Sequence, residues 1–360
     1  MNEAPFVIIG AGPAGLSAAE ILLKSGAHVV LIDRSDRLGG QLTKQTHMFF
    51  GSEKQHASKR GIDILKLMVD ALSGYDNLTV HKETTVVGMY KDKTLACLKG
   101  ETYFKVHAQA IIVATGASEK ALPFENNDLP GVYAAGAVQT LMNVYGVKPG
   151  NKVLMVGSGN IGLIVSYQLM QAGIEVVKLV EAADSISGYL VHASKIRRYG
   201  VPIEMNKSVK RAIGKTAVEA VELWELDEHW QGIPGTEEMI ECDTICLAVG
   251  LAPLTELMQQ IGVEITFIGE LGGNVPRINP RFETSVPGVY ACGDVAGIEE
   301  ASSAMIAGKI AATHALLNAG IEVDKAESSL ASWRQELQGL RNGPHGEKVR
   351  KGLEKLGVLS

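Results

Sequence analysis

Two stretches of the 360-residue chain share one pattern of apolar and polar positions. Each has a short apolar run, a glycine-rich turn, a helical pattern and a second apolar run that ends at an acidic residue. The first stretch, residues 4–34, reads APFVIIGAGPAGLSAAEILLKSGAHVVLIDR, and the second, residues 151–182, reads NKVLMVGSGNIGLIVSYQLMQAGIEVVKLVEA. Short apolar runs bounded by turns are typical of buried parallel strands. The repeat therefore predicts two β-strand–α-helix–β-strand units and an α/β fold with two Rossmann-like domains.

The rest of the chain is predicted to complete these two units. Residues 78–105 alternate apolar and polar positions, which indicates an antiparallel meander, and the apolar run after them reads as a buried strand that ends at Gly116. A helical pattern covers residues 299–318. From Glu322 onward the chain is rich in charged residues and predicts two short helices broken at Gly343-Pro344, which form an appendix rather than a third core.

Composition narrows the class of protein. Apolar residues make up 46% and charged residues 21%, the usage of a folded globular chain. The net charge of −6, without a long basic run, argues against nucleic-acid binding. The first strand begins within a few residues of Met1, which leaves no room for a signal peptide, so we expect a cytoplasmic protein without a membrane span.

The cysteine and histidine residues point away from metal and dithiol chemistry. None of the four cysteines forms the C-x-x-C or C-x4-C pair that a disulfide reductase of this architecture needs. Cys242 and Cys246 are expected on one face of a strand as small buried residues, and Cys292 as a packed residue. His192 and His345 lack metal-ligand spacing, so we expect both at the surface and no metal site.

The first glycine turn has the spacing G-x-G-x-x-G, at Gly10, Gly12 and Gly15. The first glycine permits a tight turn, the second lets a pyrophosphate approach the backbone, and the third lets helix and strand pack closely. The helix N-terminus then faces the anion. Asp33, at the end of the next strand, is placed to bind the ribose of an adenosine. These features together predict a dinucleotide site.

The second glycine turn repeats this spacing at Gly157, Gly159 and Gly162, with Glu181 at the end of the following strand. A carboxylate there accepts hydrogen bonds from a ribose 2′-hydroxyl and repels a 2′-phosphate. No arginine follows in AADS to bind such a phosphate. The pattern therefore favours NAD(H) over NADP(H).

Two further segments resemble a known family. GVYACGD, residues 288–294, and AIIVATGA, residues 110–117, resemble flavoproteins with two dinucleotide-binding domains. The segments around residues 123–163 and 288–312 are similar to the nicotinamide-binding subunits of sarcosine oxidase, opine oxidase, hydrogen cyanide synthase and dye-linked proline dehydrogenase. The resemblance implies three-layer ββα/αβα domains, with FAD in the first.

The resemblance also implies domain boundaries and contact residues. The FAD domain would comprise residues 1–118 and 276–322, with the NAD domain, residues 119–275, inserted into it, and residues 323–360 would form a helical tail. The expected FAD contacts are Gly10, Gly12, Pro13, Ala14, Gly15, Asp33, Arg34, Gly40, Gln41, Thr115, Gly116, Gly293, Asp294, Glu300 and Ala301. The expected NAD contacts are Gly157, Gly159, Asn160, Ile161, Gly162, Glu181 and Gly250.

Two interpretations stay open at this point. The helix that begins near Glu299 either aims its N-terminal amides at the flavin, where negative charge develops on reduction, or is a plain crossover helix with acids that suit its dipole. Lys44 and His47 either meet an anionic substrate or are solvated loop residues. No acid, base or nucleophile is required for hydride transfer to a flavin, so no catalytic residue is assigned beyond these two candidates.

The predicted function is hydride transfer between NAD(H) and FAD, followed by passage of electrons to an external acceptor. The resemblance implies an oligomer with a second, amine-oxidising flavoprotein or an electron carrier as partner. The cysteine-rich iron–sulfur extension of many such subunits does not follow within these 360 residues. A stand-alone NAD(P)H-dependent reductase and a non-catalytic nucleotide-binding scaffold are the alternatives.

Overall fold

The computed structural model describes residues 4–49 and 53–358, without the side chains of Pro344 and His345. The predicted surface position of His345 therefore lies outside the described residues. The chain divides into two compact units. The first unit is Met1–Ser118 with Leu251–Ser360, and the second is Glu119–Gly250.

The strands are short, as buried parallel strands usually are. In chain order they are β1 (Phe6–Ile9), β2 (Val29–Ile32), β3 (Leu78–His81), β4 (Thr85–Met89), β5 (Thr94–Lys99), β6 (Thr102–His107), β7 (Ala110–Val113), β8 (Ala117–Glu119), β9 (Val132–Ala134), β10 (Lys152–Val156), β11 (Glu175–Val180), β12 (Ile203–Glu204), β13 (Lys207–Ile213), β14 (Ala220–Glu225), β15 (Glu238–Glu241), β16 (Thr244–Leu247), β17 (Leu251–Pro253), β18 (Ile265–Ile268), β19 (Gly273–Pro276) and β20 (Val289–Ala291).

The helices connect the parallel strands and form the tail. In chain order they are α1 (Pro13–Lys24), α2 (Gly61–Asp70), α3 (Ala135–Tyr145), α4 (Asn160–Gln171), α5 (Leu190–Arg198), α6 (Glu256–Gln260), α7 (Ala301–Asn318), α8 (Ala326–Arg341) and α9 (Pro344–Leu356). Within the described part of the chain, none of them is long and apolar enough to cross a bilayer.

The first unit is built on a five-stranded parallel sheet with the order β20-β7-β1-β2-β3. Phe6 pairs with Val29 on one side and with Ala110 on the other, so the strand ends are level. The predicted meander is confirmed for β4, β5 and β6, which form a separate antiparallel sheet. The prediction is wrong for β3, which joins the parallel sheet because its backbone completes the edge of β2.

Two helices of the first unit approach unusually closely. A Cβ atom added to Gly308 of α7 would lie 2.1 Å from the carbonyl oxygen of Ala14 in α1. A Cβ atom on Gly293, just after β20, would lie 2.9 Å from the Ala14 side chain. Glycine at these two positions therefore lets α7 and the turn before it pack against the first turn of α1.

The second unit has the same plan, with a five-stranded parallel sheet of order β12-β11-β10-β16-β9 and an antiparallel sheet of β13, β14 and β15. Cys242 and Cys246 are buried as predicted, but they belong to different core clusters. The expected common face was wrong because the strand begins at Thr244, after Cys242. His192 was expected at the surface; it is only 6% exposed because α5 turns it inward.

The predicted boundary at residue 276 was placed too late, since the chain returns to the first unit at Leu251. The Leu254 N–H donates to the Gly116 carbonyl oxygen at 3.1 Å, and Met258 and Leu271 join the core of the first unit. The tail is not an appendix either. Four of its leucines are buried in that same core, namely Leu330, Leu337, Leu353 and Leu356. Trp333 packs against this core as well.

A buried ion-pair network in the second unit supports a prediction on stability. The Lys178 side chain is 9% exposed, and its Nζ lies 2.5 Å from Glu238 Oε1 and 2.7 Å from Glu204 Oε1. Hydrogen bonds from Lys178 and Lys207 lower the pKa of Glu238 below its ordinary value. The stabilisation of the folded state by these ion pairs is therefore fully present above the ordinary pKa of a glutamate. It is lost as the pH falls through the lowered pKa of Glu238.

We expect Lys178→Met to lower the free energy of unfolding by about 2 kcal/mol near neutral pH, because Glu204 and Glu238 lose their more buried partner and keep only Lys207. The loss of stability between about pH 7 and about pH 4 should also become smaller than in the wild type. Urea unfolding at both pH values measures both effects. Lys210→Met, which removes a more exposed lysine from Glu237 and Glu222, should change stability little because Arg211 stays paired with Glu222. An equal effect of the two substitutions would contradict this account.

Candidate functional site

In the first unit, the residues predicted to bind FAD follow the carboxyl ends of four adjacent parallel strands. Gly10 follows β1, Asp33 follows β2, Thr115 lies beyond β7, and Gly293 and Asp294 follow β20. Ligands of open parallel sheets bind outside the carboxyl ends of the strands. The fold thus brings to one sheet edge residues that are up to 284 positions apart, from Gly10 to Asp294.

The glycine turn after β1 has two tightly packed glycines and one open one. Gly10 has φ +102°, and a Cβ atom there would lie 2.3 Å from the Ala114 carbonyl oxygen. A Cβ atom on Gly15 would lie 1.9 Å from the Gly10 carbonyl oxygen. At Gly12 nothing lies within 4 Å of an added Cβ atom. Gly10 and Gly15 are therefore required for packing, whereas Gly12 leaves space above the turn.

The Asp33 carboxylate is held against this turn. Its Oδ2 accepts a hydrogen bond from the Ala11 N–H at 2.7 Å, and its Oδ1 accepts one from the Ser35 N–H at 2.8 Å. The side chain is 9% exposed. α1 begins at Pro13 without a side-chain cap, so its first N–H groups remain available to an anion. Gly40 adds a second wall, since its Cβ atom would lie 3.0 Å from Gly12 Cα.

Asp294 is a partly buried carboxyl group with one weak hydrogen bond from the described protein atoms. The Glu299 N–H donates to its Oδ1 at 3.4 Å. Burial raises the pKa of Asp294 to about 6, and that of an ordinary aspartate is 3.8. A carboxyl group in this environment has acceptor capacity that hydroxyl groups of a ligand can use. α7 begins at Ala301 after Glu300, again without a side-chain cap hydrogen bond.

Four further candidates of the first unit lie in the segment that follows β2. Arg34 and Gln41 are exposed, and the latter belongs to a short 3-10 turn, Gly40–Lys44. Lys44 and His47 are half-buried, and the His47 ring stacks on Phe49 with 6.0 Å between ring centroids. A role of Lys44 and His47 in contacting an anionic substrate stays a prediction.

The glycine turn of the second unit repeats the geometry of the first. Gly157 has φ +104°, and its Cβ atom would lie 2.4 Å from the Ala248 carbonyl oxygen. A Cβ atom on Gly162 would lie 2.1 Å from the Gly157 carbonyl oxygen. At Gly159 the nearest atom would be a serine hydroxyl at 3.8 Å, so this position is open. Gly250, beyond β16, has φ +111° and lies at the same sheet edge.

Ser158 is a candidate site residue that the motif did not single out, because it occupies the unspecified position between Gly157 and Gly159. Its backbone N–H and its hydroxyl both donate to Glu181 Oε2, at 2.8 and 2.5 Å. The Ala183 N–H donates to Glu181 Oε1 at 3.0 Å. The carboxylate is thereby oriented at the turn. Asn160 accepts a hydrogen bond from the Tyr189 N–H at 2.8 Å through its side chain, and Ile161 beside it is 39% exposed.

These residues fit dinucleotides. Each unit has an open middle glycine, an uncapped helix N-terminus and a carboxylate held at the end of the next strand. This combination accommodates a pyrophosphate and binds a ribose hydroxyl. All four cysteines are buried, and no group of three metal-ligating side chains occurs among the described residues. Fold and site define a class of protein with two dinucleotide-binding α/β units in one chain.

The chain belongs to the pyridine nucleotide-disulphide oxidoreductase family, whose model matches residues 4–308. Members of this family are oxidoreductases that bind FAD and NAD(P), so the fold, the FAD-dependent oxidoreductase class and the two kinds of cofactor are confirmed. The preference for NAD(H) over NADP(H) stays a prediction.

Curated relatives include the kinds of protein that the motifs predicted. The HcnB component of hydrogen cyanide synthase from Pseudomonas protegens is 28% identical over 89% of this chain and 72% of its own length. One opine oxidase subunit from Agrobacterium tumefaciens is 24% identical over 86% of this chain and 65% of its own. The alpha subunit of sarcosine oxidase from Corynebacterium sp. is 25% identical over 88% of this chain. The match spans only 33% of that protein.

Solved structures agree on the fold. L-proline dehydrogenase from P. horikoshii superposes with a TM-score of 0.70 at 23% identity, covering 93% of this chain and 58% of that one. Thioredoxin reductase from T. acidophilum superposes with a TM-score of 0.73 at 25% identity, covering 88% of this chain and 98% of that one. The likeness to L-proline dehydrogenase supports the fold alone.

Proposed function

We propose that this protein transfers hydride between NAD(H) and FAD and passes the electrons to an acceptor outside the chain. The observation that carries the proposal is the pair of glycine turns, each with a carboxylate that accepts backbone N–H bonds from its own turn. FAD, when bound, supplies the hydride and electron chemistry. The chain supplies binding, orientation and electrostatics.

In this proposal FAD binds to the first unit and NAD(H) to the second. Asp33 and the turn at Gly12 hold the adenosine ribose and pyrophosphate of FAD, and Asp294 accepts hydrogen bonds from its hydroxyl groups. Glu181 and the turn at Gly159 hold the corresponding parts of NAD(H). The uncapped N-terminus of α1 next to Gly12 supports the first assignment. The orientation of Glu181 by Ser158 supports the second.

We further propose that the acceptor is not a disulfide reduced by a dithiol of this chain. Support comes from the cysteines, which are all buried and of which no two have the C-x-x-C or C-x4-C spacing. Burial raises the pKa of Cys97 to about 11 and of Cys242 and Cys292 to about 12, and it also raises the pKa of Cys246. Thiolates, which are the reactive form, are therefore disfavoured at all four positions.

The acceptor in this proposal is a partner protein in a complex of the amine or amino-acid dehydrogenase type. The relatives named as subunits of hydrogen cyanide synthase, opine oxidase and sarcosine oxidase support it. A stand-alone reductase is the second candidate, and the likeness to nearly the whole chain of a thioredoxin reductase favours it. A stand-alone reductase would continue to oxidise NADH without a partner protein or an added dye, whereas a subunit of a complex would not.

An anaerobic titration tests the proposal. NADH is added to the purified, FAD-reconstituted protein while the visible absorbance of the flavin is recorded. We expect the absorbance to fall with about one NADH per FAD, and turnover to require an artificial dye. FAD that NADH never bleaches would indicate a nucleotide-binding scaffold. Protein that stays colourless after reconstitution would overturn the whole proposal.

Replacing Glu181 with serine is expected to reduce the preference for NADH over NADPH by about tenfold or more, because the charge that repels a 2′-phosphate is removed. The measurement is kcat/KM for dye reduction with each nucleotide. Glu175→Ser, which removes an exposed carboxylate from the start of the same strand, is the matched control. An unchanged ratio in the Glu181 variant, with FAD content intact, would contradict the assignment.

A further inference from the structure

The C-terminal tail reaches the FAD site of the first unit through one ion pair. Arg341, the last residue of α8, donates from Nε to Glu299 Oε2 at 2.9 Å and from Nη2 to Glu299 Oε1 at 2.6 Å. The side chains of Arg341 and Glu299 are 9% and 13% exposed. A paired arginine fork of this kind fixes the orientation of a carboxylate as well as neutralising it.

Glu299 occupies a sensitive place in the first unit. It lies between the Gly293-Asp294 turn and the first residue of α7, and its own N–H donates to Asp294 Oδ1. The Gly293-Asp294 turn packs against Ala14, at the start of α1. The backbone that carries Glu299 therefore links both groups expected to face FAD, the Asp294 carboxyl and the N-terminal amides of α7.

The charge of Glu299 also acts on this region. Burial is the largest cause of the raised pKa of Asp294, and the negative charges of Glu299 and Glu300 raise it further. Glu300 is exposed, whereas the Glu299 carboxylate is mostly buried. Among the residues that the structure describes, Arg341 is the basic residue that forms an ion pair with Glu299. Loss of the arginine would leave an uncompensated negative charge in a poorly solvated place.

We propose that Arg341 is a positioning residue for the flavin: it holds and neutralises Glu299 so that the Asp294 turn and the start of α7 keep their place and electrostatic potential. This inference rests on the proposed binding of FAD to the first unit. It assigns the tail a role in setting the reduction potential, since negative charge develops on the flavin when it is reduced.

The tail has other attachments, which provide controls. Glu336 of α8 accepts hydrogen bonds from Lys54 at 2.7 Å and from Gln55 at 2.8 Å. Arg334 of α8 lies 3.0 Å from the His314 ring nitrogen on α7. α8 therefore stays docked by further contacts when Arg341 is changed. Arg334→Met removes an arginine from the same helix and also breaks a contact with α7, but it does not touch Glu299.

The test is the midpoint potential of bound FAD, measured anaerobically with dithionite and redox dyes. In Arg341→Met we expect reduced FAD to be bound about tenfold less tightly, relative to oxidised FAD, than in the wild type. That ratio corresponds to a potential lower by about 30 mV for two electrons. Glu299→Gln, which leaves the arginine unopposed, should shift the potential upward. The double variant Arg341→Met with Glu299→Gln should have a midpoint potential close to that of the wild type. Arg334→Met should leave the midpoint potential unchanged.

The opposite signs distinguish an electrostatic role from a merely structural one. Two single variants that shift the potential in the same direction, or not at all, would overturn the proposal. If Arg341→Met does not fold, the Glu299→Gln variant tests the proposal by itself. An unchanged or lowered potential of bound FAD in Glu299→Gln would overturn the proposal. The potential is measured without NADH. The measurement therefore stays valid even if NADH fails to reduce the flavin. A wild-type chain that binds no FAD overturns both proposals.

Discussion

Gly12→Ala is expected to leave the first unit folded and to weaken FAD binding strongly. Gly12 has φ −77°, which alanine adopts without strain, and an added Cβ atom meets nothing within 4 Å. The methyl group would instead fill the space above the turn where a pyrophosphate must approach the backbone. We expect the Kd for FAD to rise by about 100-fold or more, with the melting temperature of the apoprotein close to that of the wild type.

The neighbouring glycines provide the contrast for this experiment. Gly10→Ala and Gly15→Ala place a methyl group 2.3 Å and 1.9 Å from carbonyl oxygens, so both should destabilise the fold itself. Gly339→Ala, at an open position in the last turn of α8, should change neither stability nor binding much. Binding is measured by quenching of flavin fluorescence and folding by thermal melting. Normal FAD binding by Gly12→Ala would disprove the assignment of FAD to this turn.

Gly159→Ala is expected to retain FAD and to lose its reduction by NADH. Gly159 has φ −65°, and its Cβ atom would come no closer than 3.8 Å to the Ser187 hydroxyl, so the second unit should fold. The methyl group would occupy the approach of the NADH pyrophosphate. We expect the Kd for NADH to rise by about 100-fold, with the FAD content unchanged.

Stopped-flow measurement of flavin bleaching across a range of NADH concentrations checks this result. Dithionite should still reduce the flavin of the variant fully, which shows that the cofactor itself is intact. The two middle glycines thus separate the two sites, since one variant is expected to lose FAD and the other only the response to NADH. A Gly159 variant that is bleached as fast as the wild type would place NADH elsewhere.

Much of this architecture follows from local pattern. Apolar runs before Gly10 and Gly157 form strands because they can bury both faces, and each glycine triplet permits a turn that larger residues cannot adopt. The acids Asp33 and Glu181 follow the next strand at nearly the same distance. Parallel neighbours end at one sheet edge, so these short-range signals already predicted two dinucleotide sites and the pairs of residues that form them.

Other features depend on contacts between residues that are distant in sequence. Arg341 meets Glu299 across 42 positions, and no periodicity in either segment predicts the pairing. The return of the chain at Leu251 and the burial of His192 likewise depend on which neighbouring elements cover them. Periodicity shows which face of a helix or strand is apolar. Which residues pack against that face is decided only when the helices and strands pack together in the folded chain.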